Sequence, residues 1–181
     1  MTSGPTRWEL LFADLEARLA AEEAAEREGA VAELTRAEQA SVATTDRLRG
    51  AVGATLRLEL LDGELLDGRL RRVAATWLLL DGHGVRGPGQ HLVPLSAVAG
   101  VLGAGRHAAP STARTDGLGL GTALRGLQRD RVRVLVRTRA SSVTGRIARV
   151  GADHLDLDDV ERRGAPPRLV PFSALLRVSE A

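Results

Sequence analysis

Apolar and polar residues alternate in short runs along most of the chain after residue 44, and glycine-rich turns separate the runs. Arg131–Val136 has the period-two pattern of a strand with one buried face. Asp62-Gly63 has tight-turn chemistry, and further strands are predicted at Trp77–Leu80 and His154–Leu157. Short strands at this regular spacing predict a mainly β fold with an N-terminal α-helical segment.

The strand pattern occurs twice. A shift of 77 residues superposes most of the two copies, and a shift of 76 superposes the residues before the first hairpin, with one residue inserted at the turn. About 55 residues per copy suit a five-stranded small barrel, so we predict two such barrels in tandem. The matched segments include Gly68-Arg69 on Gly145-Arg146, Leu92-Val93-Pro94 on Leu169-Val170-Pro171, and Leu56-Arg57-Leu58 on Val132-Arg133-Val134.

The repeat divides the chain into an N-terminal helical segment at 1–43, barrel copy one at 44–102, a linker at 103–119 and barrel copy two at 120–181. A loop is predicted within each copy, at Gly82–Gly89 and at Arg162–Pro167. The linker has small residues and no apolar period.

Large apolar residues recur at helical spacing near the N-terminus. They form one face of a helix, or of two helices interrupted at Gly29. We expect this face to be covered, either by the same helix of a second chain in a homodimer or by the Trp77/Leu79 face of barrel one. The apolar stripe consists of Trp8, Leu11, Phe12, Leu15 and Leu19.

Trp77 and Leu79 flank the inward-facing Leu78 and Leu80 in the third predicted strand, so they point outward from barrel one. Copy two has His154 and Asp156 at the matching positions. An outward Trp/Leu pair on one copy predicts an interaction surface that the N-terminal helix or the other barrel covers.

Composition narrows the range of functions. The 181-residue chain has no cysteine, which excludes disulfides, thiolate metal sites and a cysteine nucleophile. It also has no lysine, so a phosphate-binding P-loop is excluded. No apolar run is long enough for a membrane span and no secretory signal opens the chain, so we expect a cytoplasmic protein without a membrane partner.

The net charge of +2 is unevenly distributed. Residues 1–49 hold six arginines against ten acidic residues, whereas residues 111–181 hold thirteen against eight. A basic face on barrel two would contact phosphates electrostatically, which predicts RNA or DNA as a partner. The alternative is a solvated or protein-contacting face in an interaction scaffold. The candidate nucleic-acid-binding residues are Arg131, Arg133, Arg137, Arg139, Arg146 and Arg149.

No constellation of catalytic residues is visible, so we expect a non-enzymatic protein without a cofactor or a small-molecule substrate. His154, Asp156 and Asp158 share a strand face, but residues two apart on a strand lie too far apart to bind one metal ion unaided. We therefore predict no metal site. His83, His91 and His107 are predicted to be ordinary surface residues.

The segment Leu56–Gly63 (LRLELLDG), followed by Gly68–Val73 (GRLRRV), resembles the first motif of Sm-like (SH3-like) barrels. The resemblance covers residues 45–102 and 121–179. The closing Val170–Ala174 (VPFSA) is also similar to the end of PRC-type barrels, the alternative fold. The opening Arg7–Glu16 is similar to that of actinobacterial proteins, some of them labelled Fis-type regulators. A Fis-type protein would end in a helix-turn-helix, whereas this chain is predicted to end in a strand.

The Sm-like resemblance implies strand pairing at exposed edges and, in many members, binding of single-stranded RNA. In that family an Asp after the glycine-led strand contacts RNA, but Ala74 and Gly151 occupy this position here. The closing motif begins at His91 or Arg168. The family's RNA-contact residues therefore do not transfer to this chain.

Overall fold

The computed structural model describes residues 7–84, 87–111, 117–160 and 164–181. The chain forms two compact units, Met1–Val42 and Ala43–Ala181. In the first unit, helix α1 (Arg7–Ser41) runs through Gly29, so the structure has a single helix, the first of the two alternatives. Alanine, glutamate and arginine have high helix propensity, and they outweigh the cost of one exposed glycine. All five residues of the apolar stripe are exposed, Trp8 at 68% and Leu19 at 59%.

In the described residues of the second unit there are two short helices and ten strands. A single turn of 3₁₀ helix precedes the last strand of each copy, at Leu95–Ala97 and Phe172–Ala174. The helices are α2 (Thr44–Gly50) and α3 (Leu120–Arg129). The strands are β1 (Thr55–Leu60), β2 (Leu65–Val73), β3 (Trp77–Gly84), β4 (Gly87–Pro94), β5 (Val98–Leu102), β6 (Arg133–Thr138), β7 (Ser142–Val150), β8 (His154–Asp159), β9 (Arg168–Pro171) and β10 (Leu175–Glu180).

All ten strands form one antiparallel sheet in the order β5-β1-β2-β3-β4-β10-β6-β7-β8-β9. Each copy contributes five neighbouring strands in equivalent order, and β4 pairs with β10 where the copies meet. The mainly β fold with an N-terminal helix is therefore confirmed. The sheet is open, because no described strand pairing joins its edges at β5 and β9.

The strand registers reproduce the repeat. Gly68 lies opposite Gly82, and Gly145 lies opposite Asp159, as a shift of 77 requires. The predicted shift of 76 for the first strand is wrong. Leu58 pairs with Val101 and Val136 pairs with Val178, so the first strands correspond at a shift of 78. Copy two therefore has two extra residues between its helix and first strand, and one fewer in the following hairpin.

The predicted loop at Gly82–Gly89 is largely a hairpin, because β3 continues to Gly84 and β4 begins at Gly87. In copy two, β8 ends at Asp159 and β9 begins at Arg168, so the predicted loop is present around residues 164–167. Residues 162–163 of that loop, like residues 112–116 of the predicted linker, lie outside the described residues.

Two apolar clusters form the core of the second unit. The first consists mainly of copy-one residues, including Leu48 of α2, and the second mainly of copy-two residues, including Leu124 of α3. The copies also exchange side chains: Trp77 and Leu92 pack into the second cluster, and Leu176 packs into the first. This exchange makes the contact between the copies part of the core.

One glycine in each copy permits close backbone packing. A Cβ at Gly68 would overlap the carbonyl oxygen of Asp81, and a Cβ at Gly145 would overlap that of Asp158. The second and third strands of each copy can approach as they do only because these two positions lack side chains.

Candidate nucleic-acid interface

Helix α3 carries arginines on the side away from the core. Leu124 is fully buried, and Leu120, Ala123 and Leu127 pack beside it at helical spacing. The Gln128 side chain donates a 2.9 Å hydrogen bond to the carbonyl oxygen of Ala148, which ties the helix to β7. These contacts leave Arg125 and Arg129, one turn apart, exposed beside the β7 surface.

The α3 arginines and two from outside the helix line one groove of about 680 Å3. We call this the basic groove. Arg146 comes from β7, and Arg131 comes from the turn that follows α3. Four guanidinium groups line it, against the single carboxylate of Asp158, so its walls favour anions. The lining residues are Arg125, Gln128, Arg129, Arg131, Arg146, Ile147, Ala148 and Asp158.

The backbone of Arg131 is held in a conformation that favours glycine. Its φ is 49°, and it is the only non-glycine residue with positive φ in the described parts of the chain. The Arg131 amide donates to the carbonyl of Gln128, and the Val132 amide donates to that of Leu127, which closes α3 with a Schellman motif. The equivalent residue in copy one is Gly53, with φ of 92°. Copy two thus has an arginine at a position where glycine would adopt the backbone conformation at a lower cost in free energy.

Arg133 and Arg149 lie on strands beside the basic groove. Arg133 is directly opposite Arg146 in the β6–β7 pair, so their side chains share a face of the sheet. Across β7–β8, Arg146 lies opposite Asp158 and Arg149 opposite Asp156. Neither pair comes within ion-pair distance in the described structure. The guanidinium groups on this face therefore remain available to an external anion.

Two predicted binding residues do not belong to this face. Arg137 pairs with Asp62 at 2.7 Å and with Glu64 at 3.0 Å, so it joins the two copies. Acidic residues of copy one already neutralise its charge, and its binding of nucleic acid stays a prediction. Arg139 lies in the hairpin beyond the far end of β6, about 20 Å from Arg133 at the usual strand rise.

The structure adds Arg125 and Arg129 to the candidate site, which the sequence analysis missed. The sequence does contain a signal for these two arginines, because the apolar stripe of α3 implies that residues one turn apart on the other side share an exposed face. The polar face of this helix was not matched to a strand from the sequence. Of the predicted residues, Arg131 and Arg146 line the groove, and Arg133 and Arg149 lie on the strands beside it.

A second polar cluster fills the contact between the copies. His91 is 1% exposed, so the prediction of a surface histidine is wrong. The Nη1 atom of Arg177 donates to the Oγ atom of Ser179 at 2.7 Å, and this hydroxyl lies 2.8 Å from Nδ1 of His91. Arg177 also makes a bidentate ion pair with Glu64, at 2.9 and 3.1 Å.

Burial lowers the pKa of His91, and the positive charge of Arg177 lowers it further, while Glu64 and Glu180 oppose the shift. The Nδ1 atom of the neutral ring can accept a hydrogen bond from the Ser179 hydroxyl, which matches the hydrogen-bond chain from Arg177. For Asp62, desolvation opposes ionisation, but hydrogen bonds from the Glu64 amide and from Arg137 lower its pKa. The junction therefore combines carboxylate and guanidinium groups with a histidine whose pKa is lowered.

The Trp77/Leu79 face is covered by the second copy. Trp77 is 5% exposed, and its indole nitrogen donates to the carbonyl oxygen of Leu118 at 2.6 Å. Leu79 is half-buried against the same cluster. Of the two covers considered, the other copy occupies this face.

No model of a known protein family and no curated protein matches this chain.

Two further observations concern metal binding and membrane-spanning helices. Among the described residues, no group of three or more His, Asp or Glu side chains is arranged to hold a metal ion. No helix in the described ranges is both long enough and apolar enough to cross a membrane.

Proposed function

We propose that this chain is a non-enzymatic binding protein that seats the phosphates of RNA or DNA in the basic groove of copy two. The observation that carries the proposal is Arg131. A non-glycine residue with positive φ raises the free energy of the fold, and such residues concentrate at functional sites. The strained backbone places a fourth guanidinium beside Arg125, Arg129 and Arg146.

The chemistry of the basic groove favours a phosphate backbone over bases. Its walls carry guanidinium groups, which bind phosphate oxygens in a bidentate manner. No aromatic side chain lines it, so bases have no stacking platform there. Binding of this kind is electrostatic and largely independent of base sequence.

The proposed architecture is a pair of Sm-like barrels. The strand order of each copy, its preceding helix and an apolar cluster formed mainly by its own residues support this arrangement. The edge pairing of β4 with β10 agrees with the resemblance as well.

A salt titration with a labelled single-stranded RNA and a duplex DNA tests the proposed function. If three or four phosphates are neutralised, the logarithm of the binding constant for the single strand falls against the logarithm of salt with a slope of about −2 to −3. Affinity that does not depend on salt, or no binding at low salt, would contradict the proposal. Comparison of the two probes separates RNA from DNA as the partner.

A second candidate function is an interaction scaffold that associates through α1. The observation that favours it is the exposed stripe, in which the rings of Trp8 and Phe12 are tilted by 31° at a centroid distance of 6.4 Å. Five exposed large apolar side chains on one helical face indicate a surface that buries itself on association. A second copy of the same helix is the proposed occupant.

A further inference from the structure

A small apolar pocket lies where the two copies meet, separate from the basic groove. Its volume is about 200 Å3. Copy one supplies Trp77, Leu79 and Leu92, and copy two supplies side chains from α3, β6 and β10. The lining residues are Trp77, Leu79, Gln90, Leu92, Ala123, Leu127, Val134, Val178, Ser179 and Glu180.

The walls of this junction pocket offer almost no hydrogen bonds to a guest. The indole N–H of Trp77 is already used by the carbonyl of Leu118. The hydroxyl of Ser179 is engaged by Arg177 and His91. An apolar cavity of this kind is poorly filled by water and favours an apolar guest. At about 200 Å3 it suits a molecule with one aromatic ring and a short side arm.

One charged group lines the pocket. Glu180 is exposed at the last position of β10 and lines the pocket together with Val178 and Ser179 of the same strand. In the described part of the chain its carboxylate has no ion-pair partner. Gln90 adds an amide, which is bonded to Asp81. The pocket thus has one unpaired negative charge, that of Glu180, beside its apolar walls.

We infer that the junction pocket binds a small primary amine with an aromatic body, the ring against Trp77 and the ammonium group beside Glu180. The ring would fill the space between Leu79, Leu92 and Leu127, where it gains dispersion contacts with the apolar walls. The ammonium group would stay at the mouth, partly hydrated. The copy-two face that matches Trp77 and Leu79 has His154 and Asp156, so the repeat does not generate an equivalent site there.

The fluorescence of Trp77 can report binding in the junction pocket. The chain has two tryptophans, so the Trp8→Phe variant leaves Trp77 as the only indole fluorophore. The probes are 2-phenylethylamine, 2-phenylethanol and 3-phenylpropionate, which share a ring and differ in the charge of the side arm. We expect saturable quenching of Trp77, with the amine bound about two- to fivefold more tightly than the alcohol and the carboxylate bound most weakly.

Two kinds of variant test the assignment in the full chain. Glu180→Gln should abolish the preference for the amine while the alcohol binds as before. Ala123→Leu should fill the pocket and abolish binding of all three probes, and Leu127→Phe serves the same purpose if the first variant melts early. Absence of saturable binding, equal affinity for the three probes, or an unchanged amine preference in Glu180→Gln would each overturn the inference. None of these substitutions touches an arginine of the basic groove.

Discussion

Ser179 and His91 are neighbours in two ways: their backbones are partners in the β4–β10 pair, and the serine Oγ lies 2.8 Å from the histidine Nδ1. Both residues are almost fully buried. A proton on Nδ1 would displace the hydrogen bond from Ser179 and place a positive charge next to Arg177. The contact between the copies therefore depends on a neutral His91.

This dependence predicts a loss of stability in mild acid. Because the pKa of His91 is lowered in the folded chain, the unfolded chain takes up a proton first as the pH falls through about 6.5. The free energy of unfolding should fall as the pH drops below this value. Urea denaturation at pH 7.5 and pH 5.5 measures the difference. His91→Gln, which cannot titrate, should reduce it, whereas the same change at the exposed His83 should not.

The ion pair between Arg177 and Glu64 should contribute more to stability than a surface pair of similar geometry. Glu64→Gln leaves the guanidinium of Arg177, which is nearly buried, without its charge partner, and it also removes one of the two ion pairs of the more exposed Arg137. The substitution should cost about 2 kcal/mol of unfolding free energy, most of it from Arg177. The matched control is Asp67→Asn, which breaks the bidentate pair with Arg57. Both of those side chains are half-exposed, so no measurable change is expected there. Equal effects at the two sites would contradict the role assigned to the junction.

Arg131→Gly should raise stability and lower nucleic-acid affinity together. Glycine relieves the left-handed backbone, which should stabilise the fold by about 1 kcal/mol, as at the equivalent Gly53. The same change removes one guanidinium from the basic groove, so the salt slope for single-stranded RNA should become shallower by about 0.7. Chemical denaturation and the salt titration measure the two effects. A stabilised variant with unchanged binding would separate Arg131 from the site.

The repeat offers a matched control for the basic groove. Arg146 and Arg69 occupy equivalent positions and carry the same charge, but only Arg146 lines the groove. Arg146→Gln should weaken binding of single-stranded RNA several-fold at low salt, whereas Arg69→Gln should change it little. If the two variants bind equally, general charge attraction, and not this groove, accounts for binding.

Substitutions on α1 test the scaffold function. Leu11→Glu with Leu15→Glu places two charges in the apolar stripe, and each lost burial is worth roughly 1.5–3 kcal/mol, so self-association should weaken more than tenfold. Ala13→Glu with Ala17→Glu adds the same charge on the opposite face of α1 and should leave association intact. Light scattering across a dilution series gives the mass. A chain that stays monomeric at every concentration contradicts pairing of the helices.

Much of the fold follows from local pattern. Alternation in β8, glycine at Gly68 and Gly145, and the Leu-Val-Pro segments predict elements that the structure contains, because each reports a backbone requirement within one copy. The first strand of copy two was misplaced by two residues for a physical reason. A shift of two keeps every side chain on its own face, so alternation cannot distinguish Arg131–Val136 from Arg133–Thr138.

The contact between the copies escaped the sequence analysis because it joins distant residues. Nothing near His91 in sequence shows that Ser179 and Arg177 will bury it, and nothing near Arg137 indicates Asp62 as its partner. For the same reason, the sequence indicated only some of the residues that form the basic groove. One face of α3 and one face of β7 form this groove, and the alignment of the two faces depends on packing around Leu124.

The pairing of β4 with β10 has a consequence for how the two copies vary. Within a single polypeptide this contact is intramolecular, so dilution does not weaken it. Each side of the contact is also encoded separately. Acidic residues stand on one side, at Asp62 and Glu64, and basic residues on the other, at Arg137 and Arg177. Identical subunits would have to carry both the acidic and the basic residues on every copy. In a tandem chain, one sheet edge of each copy can have the residues that hold the copies together, while the sequence of the opposite edges can vary.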